Sequence, residues 1–214
     1  QPTTGTDGFE WTCSFEKEGR PWWCDIKQDR YDDFDWTVQN GRTPSRNTGP
    51  SAAYDEKYYI YIEASNPRRN GDEAVVTLPD LEQTGTHCLS FNYHMYGFHI
   101  NTLQLLKKEV RGSNQQLWQR SGEQGDYWLQ AAVEVELKQG DQLAFRGIRG
   151  GEYSGDIALD NLRIHSGGCN TLSGDIPLIY QSQSPAPGSG ASSVVTWLGA
   201  YVIAFTVMLK HLLL

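Results

Sequence analysis

Between His87 and Gly97 the chain alternates strictly. Leu89, Phe91, Tyr93 and Met95 fall on one side, and Cys88, Ser90, Asn92 and His94 on the other. A period of two over this length predicts a strand with one face in a core. Phe and Tyr favour a pleated surface, and Gly97 ends the run. Similar patterns recur along the chain. Residues 13–16 predict a short first strand, 58–63 (YYIYIE) a strong one, and 73–78 another, stopped by Pro79. Residues 102–110 and 115–120 predict a hairpin around Arg111, Gly112, Ser113 and Asn114. Strands follow at 128–137, 142–149 and 156–164, with a turn cluster at 47–51 and a glycine-rich loop at 150–155. About ten strands with no periodic helix predict an all-β, two-sheet antiparallel jelly-roll sandwich.

The end of the chain departs from this pattern. Residues 194–214 form one apolar run, preceded by the small and polar stretch 182–193 (SQSPAPGSGASS). A membrane span usually has a basic cytoplasmic flank, yet here only Lys210 and His211 occur, inside the run. Small residues, a polar spacer and a hydrophobic end are the signature of a glycosylphosphatidylinositol attachment signal, with Gly188 or Ser189 as the attachment residue. A single-pass membrane anchor is the alternative. The organisation read from the sequence is therefore a flexible lead-in at 1–10, a sandwich at 11–169, a Ser/Pro/Gly-rich linker at 170–193 and the attachment signal at 194–214. This topology requires export, and no signal peptide opens the chain, so it reads as a mature form or a fragment of a longer protein.

Charge and cysteines narrow the partners. A formal net charge of −8 argues against a nucleic-acid partner, which needs a basic footprint. Cys13, Cys24, Cys88 and Cys169 include no C-x-x-C pair, which weakens zinc and redox readings. Four cysteines allow three pairings. Proximity favours Cys13 with Cys24, leaving Cys88 and Cys169 to bracket most of the later strands. Such bridges stabilise by roughly 3 and 4.5 kcal/mol in the loop-entropy picture.

Three features bear on chemistry. Trp22 and Trp23 sit together in a loop, where paired indoles serve as a sugar or protein contact or simply cover the core edge. Residues 29–36 (DRYDDFDW) gather carboxylates, which suit a solvated turn or a hard cation. His94 and His99 lack the H-E-x-x-H spacing, no G-x-S-x-G elbow occurs, and the glycines at 147–155 open no helix, so no enzyme is expected. His94 reads as a hydrogen-bonded strand residue.

The ordered motifs CSFE (13–16), DFDWT (33–37), NTGPS (47–51), YIYIEAS (59–65), CLSFNYHMYG (88–97), SGEQGD (121–126) and GDIALDN (155–161) together resemble a MAM domain, an extracellular module of adhesion and receptor proteins. The resemblance implies a jelly-roll sandwich, supports the cysteine pairing, and points to adhesion or receptor recognition. The implied partner is a cell-surface or extracellular protein, a second copy included. Some members hold a cation such as calcium, and the corresponding positions here are Glu16, Asp35, Glu63 and Asp160. A lectin-like module using Trp22 and Trp23, with or without a cation, is the alternative reading.

Overall fold

The computed structural model describes residues 11–16, 23–81, 84–110 and 112–169. These contain eleven strands: β1 (Trp11–Cys13), β2 (Lys27–Gln28), β3 (Thr37–Asn40), β4 (Tyr58–Ile62), β5 (Glu73–Thr77), β6 (Gly85–Met95), β7 (Thr102–Lys108), β8 (Gln115–Ser121), β9 (Gly125–Leu137), β10 (Gln142–Ile148) and β11 (Ile157–Ser166). Every pairing is antiparallel. One sheet runs β3-β4-β11-β6-β9 and the other β2-β5-β10-β7-β8. β11 takes two partners along one edge, β4 against Ile157 to Leu159 and β1 against Leu162 to Ile164.

The two sheets close on an aromatic core. Phe91 of β6 meets Phe145 of β10 at 4.8 Å and Trp118 of β8 at 5.1 Å, edge to face in both cases. Tyr93 reaches Trp118 at 5.1 Å. Such edge contacts match the positive rim of one ring to the negative face of another. Trp36 lies fully inside and donates its indole N–H to the Ala74 carbonyl at 3.0 Å, so its one polar atom is not stranded. Cys13 is bonded to Cys24, and Cys88 to Cys169.

One expectation needs correction. β6 does not bury a single face: Cys88, Ser90, Asn92 and His94 are as inaccessible as Leu89, Phe91, Tyr93 and Met95. The cover is the connection from β3 to β4, residues 41–57, which folds back over the outside of the first sheet. The Tyr54 amide donates to Asp160 at 2.9 Å, and the Trp128 indole donates to the Ala52 carbonyl at 2.9 Å. Beneath it Tyr59, Tyr61 and Ala158 form a second small core, with Ala53 and Trp128 packed on it.

Register shifts place the side chains of this layer. In β11, Asp160 faces Asn92 but Arg163 faces Ser90, so one extra residue is absorbed there. Asn161 takes φ 52°, a left-handed conformation that Asn tolerates better than most residues. The bulge lets Leu159 and Leu162, three apart, both enter the core while Asp160 points outward.

Candidate functional site

The covering layer gathers carboxylates. Asp160 accepts from the amides of Tyr54 (2.9 Å), Asp55 (3.4 Å) and Asn161 (2.7 Å). Glu16 accepts from the amides of Lys57 at 2.8 Å and Tyr58 at 2.6 Å. Glu63 accepts from the Tyr61 hydroxyl and the Ser65 amide, both at 3.1 Å. Asp156 accepts from the Ala64 amide at 2.9 Å. Burial pushes Asp156 up to about 7, with the charge of Glu63 adding to it. Asp160 is also raised to about 7, again by burial first, against the lowering effect of its amide donors. Burial lowers His94 to about 4, and the Asp126 carboxylate 3.4 Å away offsets only part of this.

The carboxylates named in the sequence for a cation do not converge. Among the described residues no three His, Cys, Asp or Glu side chains are grouped so as to hold a metal ion. Glu16 and Asp160 are close enough for their charges to interact. Glu63 instead neighbours Asp156, and Asp35 lines an open cleft of about 910 Å³ with Asp33 and Arg68. The physical reason is that Glu16, Glu63 and Asp160 are spent on backbone amides, pinning the cover and the strand ends. Trp22 and the side chain of Trp23 lie outside the described residues, as do Gly188, Ser189 and the hydrophobic run 194–214. Among the described residues no helix is long and apolar enough to cross a membrane.

A different part of the molecule has the character of a recognition site. At the end of the sandwich where β6 finishes and β11 begins, Phe98 stands 86% exposed. The residues around it are fixed. The His99 amide donates to the Ser154 carbonyl at 2.9 Å, and the His99 ring Nδ1 lies 2.8 Å from the Ser154 hydroxyl. A Cβ on Gly97 would overlap the Ser154 carbonyl, and one on Gly150 would overlap the His99 carbonyl. Only glycine permits this close approach of two loops.

Arg149 locks the same end from within. Its guanidinium, almost wholly buried, donates to the carbonyls of Ala64 (2.8 Å), Gly150 (2.7 Å) and Gly151 (2.6 Å). Its own carbonyl accepts from Gly71 and from the Asn101 side chain. Thr48, from the covering connection, bonds the Tyr96 carbonyl and receives the Asp156 amide. Four connections are thus tied into one rigid platform. It leaves Phe98, Tyr127 (59%) and Tyr153 (51%) exposed to solvent. Sequence reasoning passed over Phe98 and Arg149. The signal available was the spacing of Gly97, Gly150 and Gly155 around an aromatic that fits no strand.

The family model described as "MAM domain, meprin/A5/mu" matches residues 13–170. This chain belongs to the MAM domain family. The MAM domain-containing glycosylphosphatidylinositol anchor protein 1 of Gallus gallus is 41% identical over 192 residues, covering 85% of this chain and 20% of that protein. The MAM domain-containing glycosylphosphatidylinositol anchor protein 2 of Mus musculus is 35% identical over 218 residues, covering 93% of this chain and 22% of that protein. The chain therefore spans about a fifth of the length of these relatives. Among solved structures, the K2 cleaved adhesin domain of Lys-gingipain shares the fold, with a TM-score of 0.53 at 13% identity, covering 73% of this chain and 98% of that one.

Proposed function

We propose that this MAM domain is a non-catalytic recognition module at the outer cell surface, tethered by a glycosylphosphatidylinositol anchor and binding a protein partner through its Phe98 end. The observation that carries the reading is the platform itself. Phe98 projects into solvent from a backbone tied by a buried arginine, two glycine contacts and a doubly bonded His99-Ser154 pair, so little backbone freedom is lost on binding. Aromatic anchors on a preorganised backbone are favoured at protein interfaces. The disulfides fit an oxidising compartment, the relatives are named as anchor proteins, and residues 182–214 carry the composition of an attachment signal.

The test is adhesion by cells displaying the full chain behind an export signal. The reading expects these cells to bind partner-bearing cells, and expects a phosphatidylinositol-specific phospholipase C to release the chain into the medium and abolish the binding. Retention of the chain, with a lipase-sensitive control released in parallel, would point to a spanning tail instead. Release without any adhesion would remove the recognition role.

A further inference from the structure

We propose that the outer face of the sheet β2-β5-β10-β7-β8 is a second binding site, a groove for a neutral saccharide one sugar ring wide. It lies on the other sheet from the covering layer and does not rest on the Phe98 reading.

The groove has a volume of about 190 Å³. Two aliphatic side chains, Val75 on β5 and Leu106 on β7, face outward, away from the main core, at its floor, among six polar or charged lining residues. Arg146 and Glu73 line the groove, and from Arg146 a chain of polar groups continues beside it along β7 and β8. Arg146 donates from Nε to Gln104 at 2.7 Å and from Nη1 to Glu73 at 3.3 Å. Gln104, 7% exposed, donates in turn to Gln116 at 2.7 Å and Gln119 at 2.6 Å. Those two glutamines are three apart and would normally face opposite ways. The extra residue Leu117, absorbed where Leu105 faces Trp118 and Leu106 faces Gln116, turns both to the same side. The register thus builds a row of amide donors and acceptors next to an apolar strip.

The wall is equally fixed. The loop before β3 is pinned to β5 by Asp29 N–H to Val75 O (2.9 Å), Asp33 N–H to Glu73 O (3.0 Å) and Val75 N–H to the Asp32 carboxylate (2.6 Å). Lys108 crosses to Asp29 at 3.0 Å. On this wall Tyr31 projects into solvent, 97% exposed, at the rim of the groove. An accessible aromatic face beside apolar side chains and hydrogen-bonding groups suits a pyranose: its C–H face stacks on a ring and its hydroxyls each donate and accept.

Size and charge choose the ligand class. The groove is smaller than the ~300 Å³ lower bound of drug-sized pockets, which fits a single ring. Its two cations are matched, Lys108 by Asp29 and Arg146 by Glu73, and the chain carries a net charge of −8. A sulfated or sialylated chain would meet repulsion here. A protein partner would need a buried patch of roughly 800 Å² per side, far wider than this groove.

The experiment is saturation-transfer NMR on the purified full chain. The probes are glucose, galactose, mannose, N-acetylglucosamine and their β-linked disaccharides, with chondroitin sulfate as the polyanionic comparison. The expected result is transfer to at least one neutral sugar, reduced about tenfold or more by Tyr31→Ala and by Asn114→Ala, two solvent-exposed residues that line the groove and whose variants keep the wild-type melting temperature. Transfer to none of the neutral sugars overturns the proposal. So does transfer to chondroitin sulfate alone, or neutral-sugar transfer that both variants leave unchanged.

Discussion

His99 and Ser154 are joined twice, backbone to backbone at 2.9 Å and ring nitrogen to hydroxyl at 2.8 Å. This pair clamps the connection after β6 to the connection before β11, and Gly97 sits against it at φ 143°. Gly97→Ala would place a methyl group into the Ser154 carbonyl in a backbone region that side chains avoid. We expect a loss of about 1–3 kcal/mol from the backbone strain, with the overlap adding to it. Urea unfolding of the variant beside wild type measures it. An unchanged midpoint would mean that the clamp is not rigid.

Arg149→Met keeps the length of the side chain and removes its charge and donors. Three carbonyls, those of Ala64, Gly150 and Gly151, then lose their partner. Each bond to a charged donor is worth about 1.5–3 kcal/mol, so the variant should be among the most damaging single changes in the domain. Amide exchange should rise selectively in residues 64–72 and 149–156. A uniform rise across both sheets would instead assign Arg149 a role in the whole fold.

The two disulfides should differ in weight. Cys88 and Cys169 are 81 residues apart, Cys13 and Cys24 only 11. The entropy of loop closure gives roughly 4.5 kcal/mol for the first and roughly 3 for the second. Replacing Cys88 and Cys169 with Ser together should therefore lower the unfolding midpoint more than the same change at Cys13 and Cys24. The reverse order would show that the short loop anchors β1 through contacts beyond chain entropy.

Stability should also depend on pH in a particular direction. Asp156 and Asp160, raised to about 7, hold protons in the fold that the unfolded chain releases above its ordinary carboxylate range. Their contribution is full below that range and is lost as pH rises through 7. His94, lowered to about 4, acts oppositely: its contribution is present above about 6.5 and is lost as pH falls through 4. Two carboxyls outweigh one imidazole, so the chelator-treated domain should be more stable near pH ~5.5 than near pH ~8. His94→Gln should enlarge that difference. Higher stability at the alkaline end would refute the assignment of protons to the two aspartates.

Much of the sandwich was legible because its strands keep a period of two. β6 is the clearest case, with Leu89, Phe91, Tyr93 and Met95 all in the core. The burial of its other face was not legible. Its cover, residues 41–57, is a mostly polar connection with two each of Gly, Thr, Ser and Pro, whose position depends on long-range bonds such as Tyr54 to Asp160 and Trp128 to Ala52. Asn92, wholly buried on that face, shows no hydrogen-bond partner for its amide, which no strand pattern would suggest. β2, two residues long, offers too little chain for any periodicity. β1 begins at Trp11, earlier than residues 13–16 suggest, because Cys13 already pairs with Leu162 and Phe15 turns to φ 60°. The carboxylates were visible but their grouping was not. Glu16 and Asp160 share one neighbourhood and Glu63 and Asp156 another, a division set by the register of β4 against β11.

The recognition role rests most directly on Phe98. Its side chain is 86% exposed, so Phe98→Ala should leave the unfolding midpoint within about 0.5 kcal/mol of wild type. The decisive measurement is the binding of full-chain-coated beads to partner-bearing cells, wild type against Phe98→Ala and against the double variant with Tyr153→Ala. A buried aromatic anchor is worth 2 kcal/mol or more, so binding should fall about thirtyfold in the single variant and further in the double one. Equal binding by all three proteins, at equal stability, would contradict the account and remove this end of the domain from the interface.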